Sequence, residues 1–220
     1  AIGYQAMDSA DGANNCVAIG MKAMDDLTTG VGNIAIGRYA LGDLTTGTGC
    51  VAIGAYDGTA QPALRVNTAN QNTAIGSGAL SANTTGDRNT AVGYGALDAN
   101  TTGTLNTAVG YNSMSNGGTA AEQNCALGME TLRDITTGQY NTAIGRSAGE
   151  QITTGSNNSF IGKNAGRSGS PGGQITSQSN VVVLGDGSIA NLYCNDTSIS
   201  SSDSRDKTDV TDFTKGLDWI

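Results

Sequence analysis

Short apolar triplets of the Ala-Ile-Gly type recur along this chain at almost constant distance, and the polar positions between them keep the same period. The glycines that close the triplets are Gly3, Gly20, Gly37, Gly54, Gly76, Gly93, Gly110, Gly128, Gly145, Gly162 and Gly185. Their spacing is 17 residues, interrupted by single steps of 22, 18 and 23. Ala stands three residues after the anchor glycine, at Ala6, Ala23, Ala40, Ala79, Ala96, Ala148 and Ala165. Leu or Met usually occupies the next position, as in Met7, Met24, Leu41, Leu80, Leu97, Met114 and Leu132. A Thr-Thr-Gly triplet ends ten residues after the anchor at Gly30, Gly47, Gly86, Gly103, Gly138 and Gly155. Asn precedes the anchor by four residues at Asn33, Asn72, Asn89, Asn106, Asn124, Asn141 and Asn158.

A unit of 17 residues with two glycines has no room for a pair of helices. It fits one coil of a parallel β-solenoid, and the expected fold class is all-β over residues 1–185. Each coil is expected to hold two short strands of four or five residues, turned at the anchor glycine and at Thr-Thr-Gly. Stacking at about 4.8 Å per coil gives a shaft of roughly 50 Å. Side chains alternate across a strand, so the Ala row and the Ile row before each anchor face opposite ways, and the same is expected of the later Ala and Leu rows. A thin coil buries only one of these faces. The other needs a partner, and several copies of the chain around a common axis supply one.

Composition agrees with order that comes from regularity instead of a large core. There are 33 Gly, 2 Pro and no His, with 14% charged and 5% aromatic residues. That is too few large apolar side chains for a conventional core and too little charge for disorder. The net charge is −8 with 11 scattered Lys and Arg, so no basic stripe offers itself to nucleic acid. No apolar run approaches the roughly 20 residues of a membrane helix, so no membrane insertion is expected. Cys16, Cys50, Cys125 and Cys194 lack metal or redox spacing. They read as free thiols, with Cys16, Cys50 and Cys125 at the start of the same strand in different coils. Neither a metal nor a cofactor is called for.

Enzymatic chemistry finds little support. Glycan cleavage needs two carboxylates held some 5 to 10 Å apart across a cleft. The chain has three Glu, and Asp25-Asp26 is the one adjacent acidic pair of the shaft, read as a solvated turn. Asp8, Asp11 and Asn14 match no calcium loop and read as a turn. Adjacent Thr residues point to opposite sides, which argues against a flat ice-facing array. The two long insertions are better candidates for contact with a partner. One runs from Asp57 to Val66 in place of the usual Ala-Leu pair, the other from Arg167 to Ser179 around Pro171, Gly172 and Gly173. Solenoids expel insertions as loops, which are either tolerated decoration or binding elements. Gln61, Arg65, Arg167 and Gln174 are the receptor-binding candidates.

Beyond Gly185 the period is lost. Residues 186–201 form a transition, and residues 202–220 open a new segment in which Val210, Phe213, Leu217 and Ile220 recur at helical spacing. The 17-residue unit resembles the Asn-x-Ala-Ile-Gly-x-x-Ala repeats of trimeric autotransporter adhesin heads and of many phage tail fibres. The stretch Ser202-Asp203-Ser204-Arg205-Asp206-Lys207 is similar to the entry motif of the endosialidase-type intramolecular chaperone domain, Ser-Asp-x-Arg-Leu-Lys, departing from it at Asp206.

These resemblances imply a homotrimeric phage tail fibre that binds a host-surface receptor such as a glycan and joins other virion tail proteins; the alternative is a bacterial cell-surface trimeric adhesin. They further imply a C-terminal chaperone that assembles three chains and self-cleavage between Ser202 and Asp203, with Ser202 as nucleophile and Lys207 as base. Such a cut would be a single turnover, so the chain is not expected to be an enzyme. A trimerising end also has a physical purpose, because near-identical coils specify register weakly.

Overall fold

In a computed structural model, which describes residues 1–56, 58, 61–65, 68–116 and 120–191, the chain winds into a parallel β-solenoid. Ala1–Asp186 forms one compact unit. Ten three-residue strands, β1 (Val17–Ile19), β2 (Ile34–Ile36), β3 (Val51–Ile53), β4 (Thr73–Ile75), β5 (Thr90–Val92), β6 (Thr107–Val109), β7 (Cys125–Leu127), β8 (Thr142–Ile144), β9 (Ser159–Ile161) and β10 (Val182–Leu184), lie in chain order in a single sheet. Every pairing is parallel and joins equivalent positions of the repeat, for example Ala91 with Ala108 and Ile144 with Ile161. Each coil thus supplies its neighbours' hydrogen bonds: Val17 N–H donates to Asn33 O at 2.9 Å, and Gly37 N–H to Ile19 O at 2.8 Å.

The coil departs from the two-strand expectation. Each repeat has one strand, and the Gly-x-x-Ala-Leu stretch is a run of turns. Its second and fourth residues after the anchor take left-handed backbone, as in Lys22 (φ 55°), Met24 (φ 54°), Tyr39 (φ 61°) and Leu41 (φ 52°). That conformation costs roughly 1–2 kcal/mol in a residue with a Cβ. It persists because it keeps the backbone paired in both directions along the stack. Lys22 N–H reaches back to Tyr4 O at 2.9 Å, while Met24 N–H reaches forward to Ala40 O at 3.1 Å. The same twist defeats period-2 alternation. The Ala and Leu rows, expected on opposite faces, are both buried, Ala23, Met24, Ala40, Leu41, Ala79 and Leu80 alike.

The strand face behaves as its alternation requires. The middle residue, usually Ala, points inward, and the residues on either side point out. The anchor glycine that follows is dictated by both backbone and space. Gly93 has φ 136°, and a Cβ there would sit 2.4 Å from Gly110 O of the next coil. The glycine of Thr-Thr-Gly is fixed by space alone, since a Cβ on Gly103 would lie 2.2 Å from Ala121 O.

Inside, the Asn column replaces much of what a large apolar core would do. Asn72 Oδ1 accepts from Asn89 N–H at 2.8 Å, and Asn89 Oδ1 from Asn106 N–H at 3.0 Å. Each Nδ2 meanwhile reaches the glycine carbonyl of the next Thr-Thr-Gly, at 2.8 Å for both Asn72 to Gly86 and Asn89 to Gly103. The cysteines refine this picture. Cys16 and Cys50 occupy the Asn column itself, whereas Cys125 is one position further on, opens β7 and points outward. The Cys16 thiol imitates an amide: it accepts from Asn33 N–H at 3.4 Å and donates to Gly30 O at 3.6 Å.

One coil pair breaks the pattern in a compensating way. Phe160 stands at the inward position of β9, where most other strands carry Ala, and it is fully buried. The Leu column is Gly at the two adjoining places, Gly149 and Gly166. A Cβ there would come within 2.7 Å of Phe160 Cδ2 and 2.5 Å of Cε1 respectively. One ring fills the space of two missing Leu side chains.

Candidate functional site

Two surfaces stand out from the regular shaft. The first is the outward face of the sheet, where Ile19, Ile36, Ile75, Leu127, Ile144, Ile161 and Leu184 form a column of exposed large apolar side chains, each 36–47% accessible. The first residue of each strand forms a second outward column, apolar at Val17, Ile34, Val51 and Val182 and mostly Thr between, at Thr73, Thr90, Thr107 and Thr142. Tyr94 and Tyr111 stack beside it with ring centroids 5.6 Å apart. Single exposed hydrophobics are ordinary, but an apolar column with exposed members on seven strands and half-buried Ile53, Val92 and Val109 on the other three is not.

The second is built by the first insertion. Tyr39 and Tyr56 both stand two residues after an anchor glycine, in consecutive coils, so stacking brings their rings to 6.5 Å in an edge-to-face arrangement. Of the insertion, Gln61, Pro62 and Arg65 line one cavity with them. Contrary to the expectation that the insertion displaces the Ala-Leu pair, Ala63 and Leu64 restore it. Both are buried, and Leu64 N–H donates to Ala79 O at 2.9 Å. Gln61 O accepts from Gly78 N–H at 2.7 Å, which ties the loop to the following coil. The result is a cavity of about 250 Å³ lined by Tyr39, Tyr56, Gln61, Pro62 and Arg65.

Charge around this cavity is ordered. Arg65 Nε lies 3.2 Å from Asp43 Oδ2, and its Nη1 donates to Gln61 Oε1 at 3.1 Å. Outside the cavity the Arg38 guanidinium sits 5.0 Å from the Tyr39 centroid and 5.5 Å from that of Tyr56. Lys22 Nζ is 5.9 Å from the Tyr39 ring and 3.5 Å from Asp25 Oδ2. Burial holds the Asp25 carboxyl above the ordinary aspartate value, helped by the charge of Asp26, while Lys22 opposes the shift.

Of the four receptor candidates, the structure brings Gln61 and Arg65 into one site and places Arg167 and Gln174 elsewhere. The coil carrying Arg167 is six steps further along the shaft, roughly 29 Å at the stacking distance of a sheet. Arg167 Nη1 lies 2.7 Å from Glu150 Oε2, and Arg133 Nη1 lies 2.5 Å from the other carboxylate oxygen. Glu150 is nearly fully buried, so the two arginines supply the countercharge it needs. Gln174 is exposed, and its carbonyl accepts from Gln178 Nε2 at 3.5 Å. Ser202, Asp203 and Lys207 lie outside the described residues, as does the helical spacing from Val210 to Ile220. Sequence reasoning missed Tyr39, Tyr56 and Arg38. The signal available was their shared place in the repeat, where two aromatics fall in consecutive coils next to an insertion.

Among the described residues no three His, Cys, Asp or Glu side chains converge to hold a metal ion. Near Asp8 and Asp11, Asn14 Nδ2 donates to Gly12 O at 2.8 Å and closes a turn. No family model, curated protein or solved structure matches this chain.

Proposed function

We propose that the chain is a segment of a homotrimeric extracellular fibre of the phage tail-fibre kind, whose shaft self-associates through the outer sheet face and whose side loops meet a host-surface receptor. The observation that carries this reading is the apolar column from Ile19 to Leu184. A β-sheet face of that length left in water would be an aggregation hazard, and a symmetric closed assembly buries it on every copy at once. The likeness of the repeat to trimeric adhesin heads and tail fibres sets the number at three, and the motif at Ser202 favours the virion over the alternative setting on a bacterial cell surface.

The fibre reading has a direct test. Multi-angle light scattering of the full chain is expected to return three times the 22.1 kDa chain mass. Ile75→Lys combined with Ile144→Lys places two charges in the apolar column and is expected to shift the protein to monomer while its β circular dichroism persists. A wild-type protein that stays monomeric at micromolar concentration overturns the proposal.

A further inference from the structure

We propose that the cavity at the first insertion binds one hexuronate residue of a surface polysaccharide, with the sugar's carboxylate on Arg65 and a pyranose face against Tyr39 or Tyr56. The inference deepens the fibre reading by naming the receptor's chemistry. It rests on that reading for its setting and on the cavity alone for its chemistry.

Size comes first. Sites for drug-sized ligands run to roughly 300–1,000 Å³. At about 250 Å³ this cavity suits a single sugar ring, the rest of a glycan chain passing out to solvent. Its walls come next. Tyr39 and Tyr56 stand at 79° to one another, which gives a ring ligand one face to lie on and one edge to abut. Pro62 adds an apolar, buried contact without any donor. Apolar walls with a small number of placed polar groups match a pyranose, whose C–H face is apolar and whose rim is hydroxyl.

Charge then selects among sugars. Of the five N–H donors of Arg65, one on Nη1 goes to Gln61 Oε1, and the guanidinium is ion-paired to Asp43, whose Oδ2 lies 3.2 Å from Nε. The remaining Nη donors have no acceptor among the described residues, and the two fixed contacts set the direction in which they point. A planar carboxylate is the anion that a guanidinium edge pairs with two parallel hydrogen bonds. Because Gln61 Oε1 is engaged by Arg65, its amide N–H groups are left to donate to a ring oxygen or hydroxyl. Arg38 already lies over both tyrosine rings, 5.0 and 5.5 Å from their centroids, so the aromatic pair has its cation and needs none from a ligand. A tightly charged phosphate would want several convergent cations. The cavity offers one guanidinium and two rings, which is the balance of a carboxylated sugar.

Saturation-transfer NMR on the full chain tests this with the methyl glycosides of glucuronic and galacturonic acid, each against its neutral glucoside or galactoside. The uronates are expected to bind saturably and roughly ten- to a hundredfold more tightly than the neutral sugars, the span of a charge-assisted hydrogen bond. Arg65→Ala is expected to remove that preference, and Tyr39→Ala to weaken acidic and neutral sugars together. Arg65 is 44% exposed, so its loss leaves the fold intact by circular dichroism. Absence of saturable uronate binding, equal binding of neutral sugars, or an Arg65→Ala protein that still prefers uronates overturns the proposal. A trimer that binds no uronate refutes the site and leaves the fibre reading standing; a monomer that binds uronate does the reverse.

Discussion

Replacing Phe160 by Ala restores the side chain that most other strands carry, yet it is expected to destabilise the protein. The ring is fully buried, and its neighbours in the Leu column are the glycines Gly149 and Gly166. Truncation leaves a void that no nearby side chain fills, at a cost of about 3–5 kcal/mol. The converse change also fails. In the wild-type background Gly149→Leu drives its Cβ to 2.7 Å from both Phe160 Cδ2 and Leu132 Cδ2, and overpacking of this kind costs about 1–3 kcal/mol. The backbone at Gly149 is no obstacle, since its φ of 60° is close to Leu97 at φ 53° and Leu132 at φ 46° in equivalent positions, whereas Gly166 at φ 80° adds strain to a Leu placed there. The triple variant Phe160→Ala, Gly149→Leu, Gly166→Leu therefore rebuilds the packing of the neighbouring coils. It is expected to recover part of the stability that Phe160→Ala loses, the remainder being set by strain at Gly166 and by the shift Leu132 must make beside residue 149. Stability in a stacked repeat is local, so native-state hydrogen exchange is the assay. The amides to follow are Gly162, which donates to Ile144 O at 2.8 Å, and Ser159, which donates to Val181 O at 2.8 Å. If the three changes sum, leaving the triple variant less protected than Phe160→Ala, the compensation argument is refuted.

The Asn column and Asp98 make two more predictions. Asn106→Ala strands the Ala121 carbonyl that its Nδ2 meets at 2.7 Å and the Asn124 N–H that its Oδ1 accepts at 3.1 Å, with a loss of about 3 kcal/mol. Asn106→Cys is expected to cost less, because Cys16 makes both kinds of contact in the same column; equal losses by denaturant titration would refute the equivalence. Burial raises the Asp98 carboxyl to about 6, and its Oδ1 has no hydrogen-bond partner among the described residues. The folded state therefore holds this proton more tightly than the unfolded chain, whose value is 3.8. Stability from this group is full below that value, falls as the pH rises to about 6, and is flat above. Asp98→Asn is expected to gain about 1–2 kcal/mol at pH 7, discounted for the water this half-buried site retains, and nothing near pH 3. A melting-temperature difference that does not change with pH would show the cause to be other than ionisation.

The period, the parallel stacking of the coils and the doubly apolar strand were legible from the sequence, because stacked coils force equivalent residues into the same environment; that each coil keeps one strand, in a single sheet, was not. That the Ala row from Ala18 to Ala143 and the Ile row from Ile19 to Ile144 face opposite ways follows from spacing alone, as does the place of the first insertion; that Ala is the row turned inward does not. Only the tertiary structure decided the remainder. Leu and Ala both turn inward after the anchor because left-handed backbone at every second residue cancels the alternation that a strand would impose, and such φ values leave no mark on composition. Ala63-Leu64 rejoins the shaft because the stack offers a vacant pair of core positions, whatever the length of the loop before it. Tyr39 and Tyr56 meet because a coil step places residues 17 apart side by side, and Gln61 and Arg65 of the insertion line one cavity with them. Arg167 is drawn to Glu150 because a buried carboxylate needs countercharge. Repetition carries the shaft in the sequence; contacts made once, with no second copy in the repeat to reveal them, appear only when the coils are stacked.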